Sequence, residues 1–385
     1  MTERLYYTDS YLREFRARVI EASADGRRVY LDRTAFYPTS GGQPFDTGTL
    51  GSAAVLDVVD EETRVAHLLE TPVAVGDVSC AIDWTRRYDH MQQHTGQHLL
   101  SAVLQELFDM PTVSFHLGAD ACTIDVRGPS ISASQIERAE HRCAQIVGEA
   151  RSVIVTFEDA AQGLRKASER TGTLRILSIE GIDRSACGGT HVRSTAEIGA
   201  VLLRRIEKVR DTMRLEFVCG NRALRRARQD YRSLASIGHS LSSPFEETPD
   251  LVAALIAKNK TLQKTGNQLA IELARREGRE LYQSTLPSAG GIRYRTERGP
   301  IDDATRTRAQ AFVAGEKAVF LAVCENPPSI LLAASPDSGI DAGARVKAAV
   351  ADAGGRGGGS KTLAQGSVPT LDKLDASVAA LAVVF

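Results

Sequence analysis

Two histidines four residues apart, His94 and His98 in HTGQH, are answered about ninety residues later by Cys187 and His191 in CGGTH. Histidines at i and i+4 of a helix project from one face with Cβ atoms about 6 Å apart, so both imidazoles can reach one ion without bending the backbone. Gly188 and Gly189 permit the sharp turn that brings a thiolate and an imidazole back to the same point. Imidazole and thiolate suit zinc, and four protein ligands is its usual number, so zinc held by His94, His98, Cys187 and His191 is the expected cofactor. Either half alone is a weak signal; the two together make a site. Four protein ligands read by default as a closed, structural centre, and CxxxH alone does not separate that from a catalytic one.

The elements that must hold these residues follow from periodicity. Residues 15 to 85 alternate in short apolar runs broken by glycines, the pattern of a β-sheet or barrel. From Tyr88 the period changes: Leu99, Leu100, Val103, Leu104 and Leu107 recur at helical spacing until Pro111, so His94 and His98 sit on a helix. A strand is expected over 123–127, a helix over 131–150 opened by Ser132 or by Ser134 with Glu137 three beyond it, and strands over 153–157, 174–180 and 199–219. After a break around Pro244 to Pro249, Val252, Leu255, Asn259, Leu262, Gly266, Leu269 and Leu273 keep a 3-4 spacing, a coiled-coil-like helix interrupted by Asn259 and Gly266. The last hundred or so residues mix strand-like runs at 318–323 and 329–334 with Ala-rich helices near 341–353 and 371–383, a small α/β domain. Within it, Gly354 to Gly366 holds a glycine run with Arg356 and Lys361, legible as a flexible loop between helix and strand.

The segments HTGQHLLSA and SACGGTHVRSTAEIG, preceded by FYPTSGGQPFDTG with Gly41 and Gly42, resemble the editing domain of alanyl-tRNA synthetase and its freestanding long-form relatives, the alanyl-tRNA editing (AlaX-type) proteins. The likeness runs from about residue 5 to 220. GGGSKTLAQG resembles the signature of the DHH-associated C-terminal domain, where backbone amides with Arg356 and Lys361 would hold a phosphate or dock tRNA. The resemblance implies an α+β chain: a β-barrel-like domain over 1–85, a two-layer α/β zinc-binding editing domain over 86–235, a helical spacer over 236–285 and a C-terminal domain over 286–385. It implies a trans-editing deacylase that hydrolyses the ester between a wrong amino acid, chiefly serine and in some cases glycine, and tRNA for alanine, without ATP. A pocket that accepts alanine rejects serine only weakly, so an editing site needs a polar group to read the extra hydroxyl. The family places a threonine after the metal helix; Thr112 is the nearest match and Ser114 the alternative, with His116 a further group beside the site. His90 lies about 80° from His98 around the helix and reads as a supporting or RNA-contacting residue.

Composition sets wider bounds. The chain has 385 residues, 43% hydrophobic and 25% charged, enough for two or three domains. No apolar run is long enough to span a bilayer, the start lacks a secretory apolar core, and the six cysteines have no short-spaced framework, so a cytoplasmic compartment with reduced thiols is expected. The net charge of −1 conceals a basic stretch over 203–232, ten Arg or Lys against four acids, that includes Arg225 and Arg226. Such a stretch suits contact with RNA phosphates, or a solvated helix face with internal ion pairs. The expected partner is mischarged tRNA, with a homodimer through the C-terminal domain as a further expectation. Two competing functions are a zinc hydrolase of a small ester or amide, which the basic stretch disfavours, and a nucleic-acid-binding module with structural zinc, which Gly41 and Gly42 disfavour.

Overall fold

Strand alternation over the first eighty or so residues closes on itself. In the computed structural model, which describes residues 1–159, 162–166 and 172–382, the strands Glu14–Ala22, Arg28–Leu31, Arg64–Leu69, Ala53–Glu61, Gly48–Leu50 and Gly76–Ile82 pair in that order, and the last returns to the first to close a barrel. Side chains alternate between the faces except where the pairing shifts, as between Val55 and Asp57, and Val19, Val29, Leu31, Val55, Val58 and Leu69 fill the interior. A turn at 40–43, with Gly41 and Gly42 both at positive φ, projects from the barrel segment.

The histidine helix spans Trp84–Phe108, capped by the Asp83 carboxylate, which accepts from the Arg86 N–H at 3.2 Å, and ended by Asp109 in the left-handed region. Every residue from His90 to Leu104 is buried, so the helix has no solvent face along its middle. It packs beside the antiparallel sheet Val201–Val209, Thr212–Cys219, Cys122–Val126 and Thr112–Leu117, and beside the helix Ala133–Gly148. Gly96 allows the approach to that sheet, because a Cβ there would strike the Cys219 sulfur. Ser132, and not Ser134, caps the second helix, and its reciprocal partner is Gln135 in place of Glu137. A third sheet, Val153–Glu158, Leu174–Ile179 and Asp183–Ala186, carries the approach to Cys187. All this lies in one compact unit, Met1–Ile237.

The second unit, Gly238–Phe385, begins with the end of the helix Gly220–Ser240 and continues into the long helix Thr248–Ser284. Its five-stranded sheet runs Arg293–Arg298, Ala318–Glu325, Pro328–Ala334, Leu363–Ser367 and Arg356–Gly359, with the first pair parallel and the others antiparallel. Ala318–Glu325 is buried on both faces, by the helix Asp303–Phe312 on one side and by Ala342–Ala351 and Leu371–Ala382 on the other. The glycine run expected as a flexible loop is instead the edge strand Arg356–Gly359. Its glycines let a helix lie against a hairpin: a Cβ on Gly357 would sit 3.0 Å from methyls of Val346 and Val350, and one on Gly366 2.7 Å from Val350. The molecule is of the α+β class.

Candidate metal centre

The four expected ligands meet. The ligand atoms of His94, His98, Cys187 and His191 all lie within 4.8 Å of one another, and the Cys187 sulfur is 3.4 Å from His94 Nε2 and 3.3 Å from His191 Nε2. Ligand atoms at the corners of a zinc tetrahedron with bonds of about 2.0 to 2.3 Å stand about 3.4 to 3.6 Å apart, so this donor set matches one ion. The buried Nε2 of His98 has no hydrogen-bond partner among the described residues, an orphan that an ion at the centre would satisfy.

What turns the three rings inward is a hydrogen bond on the far nitrogen of each. His94 Nδ1 lies 2.8 Å from Gln43 Oε1, His98 Nδ1 2.8 Å from Asp183 Oδ2, and His191 Nδ1 3.3 Å from the Thr95 hydroxyl. Each of these oxygens accepts when Nδ1 carries the proton, which leaves the Nε2 lone pair for a cation. Gln43 also donates to Thr190 Oγ1 at 2.9 Å and accepts from the Thr190 N–H at 3.1 Å, pinning the barrel's glycine turn to the CGGTH loop. Asp183 is held by Arg165 at 2.6 Å. Arg175 grips Cys187 twice: its carbonyl accepts from the Cys187 N–H at 3.0 Å, and its guanidinium donates to the Cys187 carbonyl at 2.6 Å.

The electrostatics favour a cation at the same point. Burial would raise the Cys187 thiol, but the neighbouring imidazoles of His94 and His191 outweigh it and hold the thiol well below its ordinary range. Burial lowers His98, yet the hydrogen bond to Asp183 and the neighbouring Cys187 lift it to about 9. Burial takes His191 down to about 3 against the pull of Cys187. Asp183, which burial alone would raise, is brought to about 2 by His98 and then Arg165, so it stays ionised. A thiolate and a carboxylate that favour positive charge at the buried His98 also favour a metal ion there.

The remaining expected residues divide. Gly42 lies against the strand Thr112–Leu117: its carbonyl accepts from the Leu117 N–H at 2.9 Å, and a Cβ on it would sit 2.7 Å from the Phe115 carbonyl oxygen. Phe115, which sequence reasoning passed over, stacks on His94 with ring centres 5.2 Å apart. Pairing shifts between Thr112 and Ser114, leaving Val113 unpaired, so Thr112 shares the inward face with Phe115 and Leu117 while Ser114 and His116 turn outward. Thr112 donates to Ser101 Oγ at 2.7 Å, one helical turn from His98. Ser114 is exposed and donates to Asp125 at 2.8 Å, and His116 is exposed, so neither is brought to the cluster. The pleat, which fixes alternate faces, is the reason. His90 is buried beside Arg86 and Arg222 and is not one of the clustered ligand groups; burial and then those cations take it to about 3.

The basic stretch is partly neutralised. Arg204 and Arg226 pair with Asp230, Arg214 with Asp125, and Arg222 with Asp89, while Arg225 stands 3.7 Å from Asp89 and remains largely exposed. Arg356 and Lys361 are exposed on the edge hairpin of the second unit. Gln43, Thr95, Asp183, Phe115 and Arg175 are the site residues sequence reasoning missed. Only Gln43, directly after Gly41 and Gly42, had a local signal.

Comparison with known proteins supplies the frame. Residues 174–215 match the family described as the threonyl and alanyl tRNA synthetase second additional domain. The chain is 32% identical to alanyl-tRNA editing protein AlaX-L of Pyrococcus horikoshii, over 96% of this chain and 95% of that protein. It is 30% identical to alanyl-tRNA editing protein Aarsd1 of Rattus norvegicus, over 95% and 94% respectively. Similarity to the alanine–tRNA ligase of Pyrococcus furiosus, at 31% identity, spans 97% of this chain but only 42% of the ligase.

Proposed function

Because the chain belongs to the alanyl-tRNA editing protein family, we propose that it is a trans-acting aminoacyl-tRNA deacylase that hydrolyses the ester of serine, and of glycine, mischarged on tRNA for alanine. The observation that carries the reading is the inward convergence of His94, His98, Cys187 and His191 with His98 Nε2 unsatisfied. Those four residues would hold zinc, which when bound supplies Lewis acidity to orient and polarise the ester carbonyl. The protein's own part is positional. Gln43, Asp183 and Thr95 fix the rings; Gly42 and Phe115 form a close wall beside His94. The reaction adds water at the ester carbonyl, breaks the bond from that carbon to the ribose oxygen and returns a proton to the ribose.

Thr112 is our choice for the reader of the serine hydroxyl, because the bulge turns it to the Phe115 face while Ser114 and His116 point away. Arg225, Arg226, Arg356 and Lys361 suit contact with the RNA backbone, and Gly41 and Gly42 suit close approach of the aminoacyl end. We assign residues 1–85 to the barrel-like domain, 86–235 to the editing domain, 236–285 to a helical spacer and 286–385 to a DHH-associated-like domain; for self-association, expected from sequence through that C-terminal domain, our choice is instead the exposed leucine stripe of the spacer helix. No helix among the described residues is long and apolar enough to cross a membrane.

Release of amino acid from Ser-, Gly- and Ala-tRNA for alanine tests the reading. Alanine cannot make the hydrogen bond that the serine hydroxyl makes to the half-buried Thr112, worth about 0.5 to 1.5 kcal/mol, so the serine ester should be cleaved roughly 2- to 13-fold faster than the alanine ester. Thr112→Val should bring the serine rate down toward the alanine rate at unchanged zinc content. Inertness of the zinc-loaded chain toward all three esters would overturn the assignment.

A further inference from the structure

A cleft of about 280 Å³, lined by no residue of the ligand cluster, lies between the first turns of the helices Trp84–Phe108 and Gly220–Ser240. Both helix starts bring partial positive charge to it. The guanidiniums of Arg86, Arg222 and Arg225 face the carboxylates of Asp83 and Asp89, so one positive charge is left over. Both carboxylates are already engaged: Asp83 caps its helix and accepts from the Thr47 hydroxyl at 3.2 Å, and Asp89 takes two nitrogens of Arg222 at 2.6 to 3.0 Å. Arg222 spends its remaining nitrogen on the Gly118 carbonyl at 2.7 Å and is a fixed part of the wall. Arg86 and Arg225 are not. Arg86 gives its Nε to the Phe45 carbonyl at 2.9 Å and pairs with no carboxylate among the described residues. Arg225, 67% exposed, stands 3.7 Å from a carboxylate that Arg222 already holds.

His90 lies in the wall of the same cleft. It is 3% exposed, and its Nδ1 has no hydrogen-bond partner among the described residues. Burial and the neighbouring arginines keep the ring neutral, so it carries one N–H and one lone pair. A buried ring nitrogen without a partner is unfavourable unless a ligand meets it, and the guanidiniums around it set that ligand's charge as negative. The cleft falls short of the roughly 300 to 1,000 Å³ of sites that enclose a whole small molecule, so it suits one anionic group of a larger ligand. It also continues. A second cleft of about 390 Å³ shares Ala119, Arg222 and Arg225 and runs on to Arg226 and Gln229. Residues 222, 225, 226 and 229 recur at i, i+3, i+4 and i+7, one face of the helix. An anionic group that belongs to a chain, beside a further basic cleft, has the chemistry of a phosphodiester backbone.

We propose that the cleft between the two helix starts binds a single backbone phosphate of the substrate RNA, clasped by Arg86 and Arg225 and met by His90, with the strand continuing along the arginine face of Gly220–Ser240. The inference rests on the editing reading and adds to it a fixed point at which the RNA is held. One turn of the same helix, about 6 Å of rise, separates His90 from His94. A phosphate held here is therefore referenced to the buried element that carries two of the candidate ligands. Such a contact sets position and register and reads no base, so tRNA identity is read elsewhere.

Anisotropy titration of the zinc-loaded full chain with labelled, uncharged tRNA for alanine over a range of KCl concentrations tests this without relying on turnover. Arg86→Ala and Arg225→Ala should each weaken binding roughly 10- to 150-fold, the range of one hydrogen bond to a charged group. The double variant should lower the salt slope by about one, because one phosphate and its counterions are at stake. His90→Phe, which keeps a buried ring and deletes its polar atoms, should weaken binding with salt slope and zinc content unchanged. An unchanged slope in the double variant, or a drop of about two, the mark of two separate phosphates, would refute the site. Calorimetry with inorganic phosphate separates the sources: phosphate alone should bind far more weakly than tRNA, and phosphate binding as tight as tRNA binding would make the cleft a free-anion site and overturn the RNA assignment. The expected binding pattern in a chain inert toward every mischarged tRNA would uphold the cleft and overturn the editing reading. Normal deacylation with tRNA binding unmoved by all three substitutions would do the reverse.

Discussion

At the residue scale, the candidate ligands were legible and their supports were not. His94, His98, Cys187 and His191 declare themselves by type and spacing, because only a few side chains bind zinc. The groups that aim them, Gln43, Asp183 and Thr95, are ordinary polar residues that acquire a role only when folding brings an oxygen to an imidazole Nδ1. Their importance can be measured. Cys187→Ala and His98→Ala should each lose most of the bound zinc, and Asp183→Asn, which keeps the shape but weakens the acceptor, should lower zinc affinity about 10- to 100-fold. Metal content after dialysis and competition with a chelator check this, and stoichiometric zinc in His98→Ala would place the ion elsewhere.

At the element scale, the long helix Thr248–Ser284 poses the sharpest question. Val252, Leu255, Leu262, Leu269 and Leu273 form a stripe that is 39% to 60% exposed. The spacing of Leu255, Asn259, Leu262, Gly266, Leu269 and Leu273 puts them at the seam positions of a heptad repeat. Two copies laid antiparallel would set Leu255 opposite Leu273, fill the space over Gly266 with Leu262, and place Lys258 opposite Glu272. A parallel pair would set Gly266 against Gly266 and Glu272 near Glu277, leaving a void and a repulsion. A Cβ on Gly266 would touch nothing within 4 Å, so that space is open. The expected outcome is an antiparallel dimer in sedimentation equilibrium, converted to monomer by Leu262→Asp with zinc content unchanged; a wild-type monomer at tens of micromolar would remove this pairing. The same scale explains the misread glycine run, whose composition suits a loop but whose missing side chains admit Val346 and Val350 against a strand.

For the whole molecule, acid sensitivity follows from histidines held neutral in the interior. His67, inside the first unit with Nε2 2.9 Å from the Thr34 hydroxyl, is driven by burial from 6.5 to about 4. Above pH 6.5 the ring is neutral in folded and unfolded chains alike, and its contribution is complete. As pH falls from 6.5 toward 4 the unfolded chain takes up the proton and the folded one does not, so stability declines by on the order of 3 kcal/mol and then levels. His90 and His191, each near 3, act in the same direction, so the difference between variants isolates His67. The urea midpoint of His67→Leu should therefore change less between pH 7 and pH 4.5 than that of the wild-type chain; equal changes would show that His67 carries no share of the linkage.

The sequence by itself determined the His/Cys cluster, the helix that bears half of it, the α+β class and part of the element order, while the strands Thr112–Leu117, Arg293–Arg298 and Arg356–Gly359 and the helix Asp303–Phe312 escaped it, because only residue type and short-range period are legible locally. Tertiary structure alone decided which oxygen each imidazole meets, that a one-residue bulge turns Thr112 inward and Ser114 and His116 outward, and that Phe115 lies on His94. It also decided that Arg175 carries a buried, unspent donor beside Cys187. The physical reason is that these facts depend on register and on contacts between residues far apart in the chain. A one-residue shift in strand pairing reverses which face every later side chain takes, and local sequence does not announce it.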